Sequence, residues 1–142
     1  MTASEETISL ARTLARAACD KQATSGSCID VSEQLVLVEV FLILSASSER
    51  QMKALVNAVD EAAHEVGVKL KHREGMGEQM RWVLLDYGDV IVHIFHDEER
   101  DLYSLEKLWG DCPVIDLECD FSDAGEQQAN PLVTFGALGS DG

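Results

Sequence analysis

The stretch Trp82-Val83-Leu84-Leu85-Asp86-Tyr87-Gly88-Asp89-Val90-Ile91-Val92-His93-Ile94-Phe95 constrains the fold more than any other part of the chain. Two apolar runs rich in β-branched and aromatic residues flank a Tyr-Gly step, the pattern of two antiparallel strands joined by a tight turn. Successive strand residues point to opposite faces, so the run predicts its own two surfaces. With Asp86 and Asp89 flanking the turn, Leu85 opposes Val90, Val83 opposes Val92, and Ile94 continues that face. It is wholly aliphatic and suited to carrying helices. The other face holds Trp82, Leu84 and Asp86 from one strand and Asp89, Ile91, His93 and Phe95 from the next, with Trp82 directly across from His93.

The rest of the chain alternates between helical and strand periodicity. Ser4 is placed to cap a helix in which Ile8, Ala11, Leu14, Ala15 and Ala18 recur at helical spacing, and Thr24 to Ser27 break it. Cys28 to Val31 reads as a short strand. Leu35 to Leu44 reads as a longer one, apolar on both faces as a strand inside a sheet should be. Ser48 with Gln51 three residues later predicts a helix from about Glu49 to Val66. Met52, Leu55, Val56, Val59 and Ala63 form its apolar stripe, and Gly67 ends it. Val68 to Arg73 reads as a short polar strand and Glu74 to Met80 as a glycine-containing loop. From about Asp97 the spacing is helical again, with Leu102, Leu105, Leu108 and Trp109 on one side and Pro113 just beyond the end. The interleaving predicts one α/β domain, a mixed sheet of about five strands with helices on one face.

A chain of 142 residues can bury a core of its own as a single domain. Its net charge of −15 repels phosphate backbones and anionic lipid and attracts basic partners. Direct nucleic-acid binding, which needs a basic stripe, is not expected. The charge is uneven: Asp111, Asp116, Glu118, Asp120, Asp123, Glu126 and Asp141 lie beyond Gly110 with no Lys or Arg among them. Residues 1–110 therefore read as the folded domain. Residues 111–142 read as an acidic extension, partly disordered or folded back through Val114, Ile115, Leu117, Leu132, Val133 and Phe135. Cys19, Cys28, Cys112 and Cys119 show no CxxC spacing, and Met1 to Thr7 lack a signal-peptide pattern, so reduced cysteines in a cytoplasmic protein are expected. Leu35 to Leu44 is too short to span a bilayer, and no membrane role is visible.

Three chemistries compete for the Trp82 to Phe95 face. His93 and His96, three apart in an extended segment, point to opposite faces and are badly placed to share a zinc ion. No cofactor or metal is expected. His93 beside an acid resembles a general base, but no nucleophile elbow accompanies it. Ser47 and Ser48 before a helix, with Asp86 and Asp89, sketch a magnesium-dependent nucleotidyl- or phosphoryl-transfer site. That chemistry needs closely spaced carboxylates on an adjacent strand, and no D-x-D follows the serines. A mixed aromatic and apolar face rimmed by acids fits docking better than turnover. Its occupant is a basic protein, a second copy of the chain forming a homodimer, or the C-terminal segment.

The run from Trp82 to His93, with Glu99-Arg100, Leu102-Tyr103 and Leu105-Glu106-Lys107-Leu108-Trp109 after it and Glu74-Gly75 before it, resembles the ribosomal silencing factors, the family related to the plant Iojap protein. The likeness covers roughly residues 5–109. It implies a nucleotidyltransferase-like fold without the catalytic residues and a non-enzymatic translation repressor active under starvation. It also implies a partner, the large ribosomal subunit, bound through its basic ribosomal protein number fourteen so that the small subunit is blocked. On that resemblance Trp82, Leu84, Ile91, His93 and Phe95 would form the centre of the contact, and Asp86, Asp89 and Glu74 its acidic rim. Tyr103, Glu106 and Trp109 would either buttress the hairpin or join the contact. Glu39-Val40 and Ser45-Ala46 depart from the family pattern, which commonly has an aspartate and an aromatic at the first and Thr-Gly at the second.

Overall fold

The structure is a computed structural model and describes residues 2–77, 80–99, 105, 107–119 and 121. In chain order it has α1 (Glu5–Asp20), β1 (Ser25–Asp30), β2 (Val40–Ala46), α2 (Glu49–Glu65), β3 (His72–Glu74), β4 (Trp82–Asp86) and β5 (Val90–His96). The five strands form one sheet in the order β1-β2-β5-β4-β3. β2 and β5 run parallel and the other pairs are antiparallel, so the sheet is mixed.

Both long helices start where side chains satisfy the exposed amides of the first turn. Ser4 Oγ accepts from Thr7 N at 3.2 Å, and Ser48 Oγ accepts from Gln51 N at 3.1 Å. Gln51 does not reach back to its own cap as a capping box would. Its Oε1 accepts from Ser47 N at 2.8 Å, and its Nε2 donates to Lys21 O and Gln22 O at the end of α1. One side chain thus ties the start of α2 to the end of α1. Gly67, at φ +80, continues the chain out of α2.

The aliphatic face of the sheet carries α1 and α2, as the residue pattern predicts. Met52, Leu55, Val56, Val59 and Ala63 of α2 are buried against Leu42, Leu44, Val83, Leu85, Val92 and Ile94. Each large side chain fully buried there stabilises the fold by about 1.5–3 kcal/mol. In α1 the buried set is Thr7, Ala11, Leu14, Ala15 and Ala18, while Ile8 is only partly covered.

Four expectations need correction. The strand predicted at Leu35 begins only at Val40. Gln34 N and Leu35 N both donate to Val31 O, which turns the chain, and Val36 and Leu37 project outward at 97% and 83% exposure. The strand predicted at Cys28 begins earlier, at Ser25, so Thr24 to Ser27 do not simply separate helix from strand. Helices do not occupy one face only. Leu105 and residues 107–109 are helical, and Leu105 and Trp109 pack on the opposite side with Ile29, Val31, Phe41, Ile43 and Phe95. Leu108 does not share that side and is exposed, and Leu102 lies outside the described residues.

The hairpin keeps its predicted faces but not its register. Tyr87 N donates to Val90 O, so the turn is Gly88-Asp89, and Gly88 supplies the positive φ of +96 that a two-residue hairpin loop of this kind requires. Trp82 therefore pairs with Phe95, Val83 with Ile94, Leu84 with His93, Leu85 with Val92 and Asp86 with Ile91. The slip amounts to one residue on each strand, which leaves every side chain on its expected face.

The segment after the last helical residues returns to the sheet. Asp30 N donates to Pro113 O and Ile115 N to Cys28 O, so the segment covers the outer edge of β1. Arg12 Nε donates to Asp116 O at 2.9 Å, Leu117 is buried, and the Phe121 ring lies against Gly26. Covering an edge strand removes a template for unwanted strand pairing.

Both departures from the family pattern fall at defended places. Glu39 Oε1 accepts from Ser4 N at 2.7 Å beside the start of α1. The Ser45 hydroxyl is hydrogen-bonded to those of Ser25 and Thr24.

Candidate protein interface

Strand pairing sets the side chains of the second sheet face in rows. One row runs Glu74, Leu84, His93, Ile43, Ser27; another runs Trp82, Phe95, Ser45, Ser25; a third runs His72, Asp86, Ile91, Phe41, Ile29. The rows are not evenly covered. At the β1–β2 end Val31, Leu35, Val38, Leu105, Trp109 and Cys112 close over Ile29, Phe41, Ile43 and Phe95. Toward β4 and β3 the face opens.

Trp82 stands at the boundary, 39% exposed. Its indole stacks on Phe95, its direct cross-strand partner, with centroids 5.2 Å apart and planes within 16°. Its Nε1–H donates to His93 Nδ1 at 3.1 Å. Phe95 is fully buried and His93 is 4% exposed, so both sit beneath the surface as the seat of Trp82. They do not stand at the centre of an open contact. Accepting at Nδ1 leaves the His93 proton on Nε2, which has no hydrogen-bond partner among the described residues. Burial drives the His93 pKa down from 6.5 to about 4, which keeps the ring neutral at physiological pH. Phe41 meets the same ring edge-on at 4.8 Å.

The remaining predicted residues divide by exposure. Leu84, Asp86 and Ile91 are half-buried, while Asp89 and Glu74 are exposed. Asp86 Oδ1 accepts from Gly88 N at 2.8 Å, which makes it a turn-fixing residue as well as a rim acid. Trp109 packs edge-on against Phe41 at 5.2 Å and belongs to the cluster that also holds Phe95 of the hairpin. Tyr103 and Glu106 lie outside the described residues.

His72 is the residue the sequence reading missed. It faces the same way as Glu74, pairs in register with Asp86, and its Nε2 lies 2.7 Å from Glu74 Oε2. Alternation along β3 would have identified it once β3 was paired with β4. Gly75 completes this corner. At φ +91 it brings the chain so close that an added Cβ would lie 2.1 Å from the Trp82 carbonyl oxygen.

His93 and His96 do not converge. His96 Nδ1 accepts from Glu98 N at 3.1 Å, and His93 Nδ1 is taken by Trp82. Among the described residues, no group of three or more His, Cys, Asp or Glu is placed to hold a metal ion. Ser47 and Ser48 are engaged at the start of α2. No helix among the described residues is long and apolar enough to cross a membrane.

Fold and face together define a single-domain α/β protein with a mixed five-stranded sheet, two helices on one side and a seated, partly exposed tryptophan on the other. The chain belongs to the family described as ribosomal silencing factor during starvation, whose model matches residues 4–134. That match runs well past residue 109, where the sequence resemblance ends. Ribosomal silencing factors from Halalkalibacterium halodurans and Bacillus subtilis are each 43% identical to it. The first aligns over 99 residues, 70% of this chain and 84% of the relative. The second aligns over 106 residues, 74% of this chain and 89% of the relative. A crystal structure of a protein from Bacillus halodurans superposes with a TM-score of 0.67 at 38% identity, covering 80% of this chain and 99% of that one. The family is regulatory by name, not enzymatic.

Proposed function

We propose that this protein represses translation by binding the large ribosomal subunit through its basic ribosomal protein number fourteen and sterically blocking the small subunit. The observation that carries the reading is Trp82, an aromatic anchor held in place by Phe95 and His93 yet exposed toward solvent. Anchors of this kind supply most of the binding energy of protein interfaces. Leu84 and Ile91 extend the apolar patch, and Glu74, Asp86 and Asp89 rim it with charge that suits Lys and Arg. The net charge of −15 favours fast encounter with a basic partner. The names of the relatives supply the ribosome as target.

A nucleotidyl- or phosphoryl-transfer enzyme on this fold is the rival, and the sheet itself argues against it. Ser47 and Ser48 follow the Ala46 end of β2, whereas Asp86 and Asp89 lie at the turn beside Val40. Six strand residues separate those ends, roughly 20 Å at the rise of a β-strand. No single magnesium ion spans that distance.

Sedimentation with large ribosomal subunits tests the reading. Wild type should pellet with the subunit, less so as salt rises. Folded Trp82→Ala should lose at least about 2 kcal/mol of binding. Glu74→Lys, an exposed change that leaves the anchor intact, should weaken the salt dependence. Equal binding by wild type and folded Trp82→Ala would remove the centre of the model.

A further inference from the structure

Val36 and Leu37, adjacent in sequence, stand almost fully in solvent at the tip of the loop between β1 and β2. The loop that carries them is closed and ordered. Val31 N donates to Glu39 O at its base, Gln34 N and Leu35 N donate to Val31 O, and Glu39 N donates to Asp89 O, each at 2.9 Å. Leu35 and Val38, on either side of the exposed pair, turn inward and pack on the cluster of Ile29, Val31, Phe41, Ile43 and Phe95. Val114, also exposed, pairs with Ile29 of the same cluster, next to the hydrogen bond from Asp30 N to Pro113 O. We propose that this corner is a second docking surface, where a basic protein segment lays an apolar side chain against Val36 and Leu37 with Lys or Arg on either side.

Charge selects that occupant. Two stretches of chain meet at the corner, and neither brings a cation: there is no Lys or Arg from Gln22 to Glu49, and none after Lys107. Asp30, Glu33, Glu39, Asp111 and Asp116 lie in those stretches. Arg12 reaches the returning segment from α1, and there it donates to the Asp116 carbonyl and lies 3.5 Å from the Glu118 carboxylate. A second copy of the chain would set like charge against like, each copy carrying −15. The chain's own segment beyond Phe121 adds Asp123, Glu126 and Asp141 and no Lys or Arg, so charge does not draw it here. Because the loop is already ordered, binding there freezes little backbone.

Resting on the ribosomal reading, the occupant is a basic protein segment on the large subunit, apart from the one that meets Trp82. Val31, where the loop begins, lies six residues along β1 from Ser25, and Ser25 shares a cross-strand row with Trp82 three strands away. Strand geometry sets the two sites roughly 25 Å apart. At that distance their contributions to binding are independent.

Full-length wild type, Val36→Ser/Leu37→Ser, Trp82→Ala and the combined variant are titrated onto large ribosomal subunits and sedimented. The loop variant alters exposed side chains only, so its urea midpoint should match wild type. Its affinity should fall about tenfold or more, and in the combined variant the two fold-losses should multiply. Val66→Ser, an exposed apolar change at the end of α2, should bind as wild type. Asp111→Lys should bind more weakly and lose less affinity as salt rises. Wild-type affinity in the loop variant would overturn the second surface and leave the Trp82 reading standing, whereas no pelleting by wild type would overturn both. Self-association of wild type that the loop variant loses would give the surface to a second copy. Faster amide exchange at Leu132 to Phe135 in the loop variant would give it to the chain's own C-terminal segment. Either of these results overturns the basic occupant.

Discussion

His93 should make the protein acid-labile in a window set by its burial. An exposed histidine in the unfolded chain titrates near 6.5, while burial in the fold lowers the His93 value to about 4. Between these values the unfolded chain binds a proton that the folded chain refuses. Stability from this group is therefore complete above about 6.5 and is lost as pH falls toward 4. Linkage gives a loss of about 1.4 kcal/mol at pH 5.5 and about 3 kcal/mol at pH 4, relative to pH 8. Carboxylates titrate in part of the same range, so the measurement is a difference. Urea unfolding of wild type and His93→Phe is followed from pH 8 to 4, and the gap between the two free energies is plotted. Phenylalanine retains a ring between Phe41 and Phe95, and the freed Trp82 Nε1–H belongs to a residue that reaches solvent. The variant should gain on the wild type by about 3 kcal/mol across the range. A gap that stays constant with pH would refute the burial argument.

Two further changes probe the frame that holds the face. Gln51→Ala removes the acceptor for Ser47 N and the donor to the Lys21 and Gln22 carbonyls, and should cost about 1–2 kcal/mol, read from the urea midpoint. Gly75→Ala places a methyl group against the Trp82 carbonyl in a backbone conformation that disfavours side chains. It should cost about 2 kcal/mol or more and loosen β3 from β4, seen as faster amide exchange at Leu84 and Asp86.

Periodicity made most of this fold legible. The apolar stripe of α2 is the set that the structure buries, and both N-caps are where Ser4 and Ser48 place them. Face assignment in the hairpin also held, because alternation is insensitive to a shift of one residue on each strand. The register itself was not legible, since Asp86, Tyr87, Gly88 and Asp89 allow the loop to begin at either of two places. Only the Tyr87–Val90 hydrogen bond chooses. Composition misled at Leu35 to Val38, where β-branched residues sit in a turn governed by contacts to Val31. Burial at the site was the least accessible from sequence. That Phe95 is buried beneath Trp82 depends in part on the segment carrying Leu105 and Trp109, far along the chain.

That burial changes what the face can do. An exposed cluster of Trp82, His93 and Phe95 would have to order three side chains on binding a partner. In this sheet Phe95 and His93 are ordered already, and Trp82 is fixed by one stack and one hydrogen bond before any partner arrives. Less side-chain entropy remains to be lost on association, which favours a tight contact from a small patch. The same arrangement ties the anchor to the state of His93. A protonated Nδ1 can no longer accept the indole N–H, so below the acid transition Trp82 should lose its hydrogen bond and keep only its stack on Phe95 even in chains that remain folded. Wild-type binding should therefore fall as pH drops through this transition, whereas His93→Phe, which lacks the hydrogen bond at every pH, should show no such step; equal pH profiles would mean that the anchor rests on Phe95 alone.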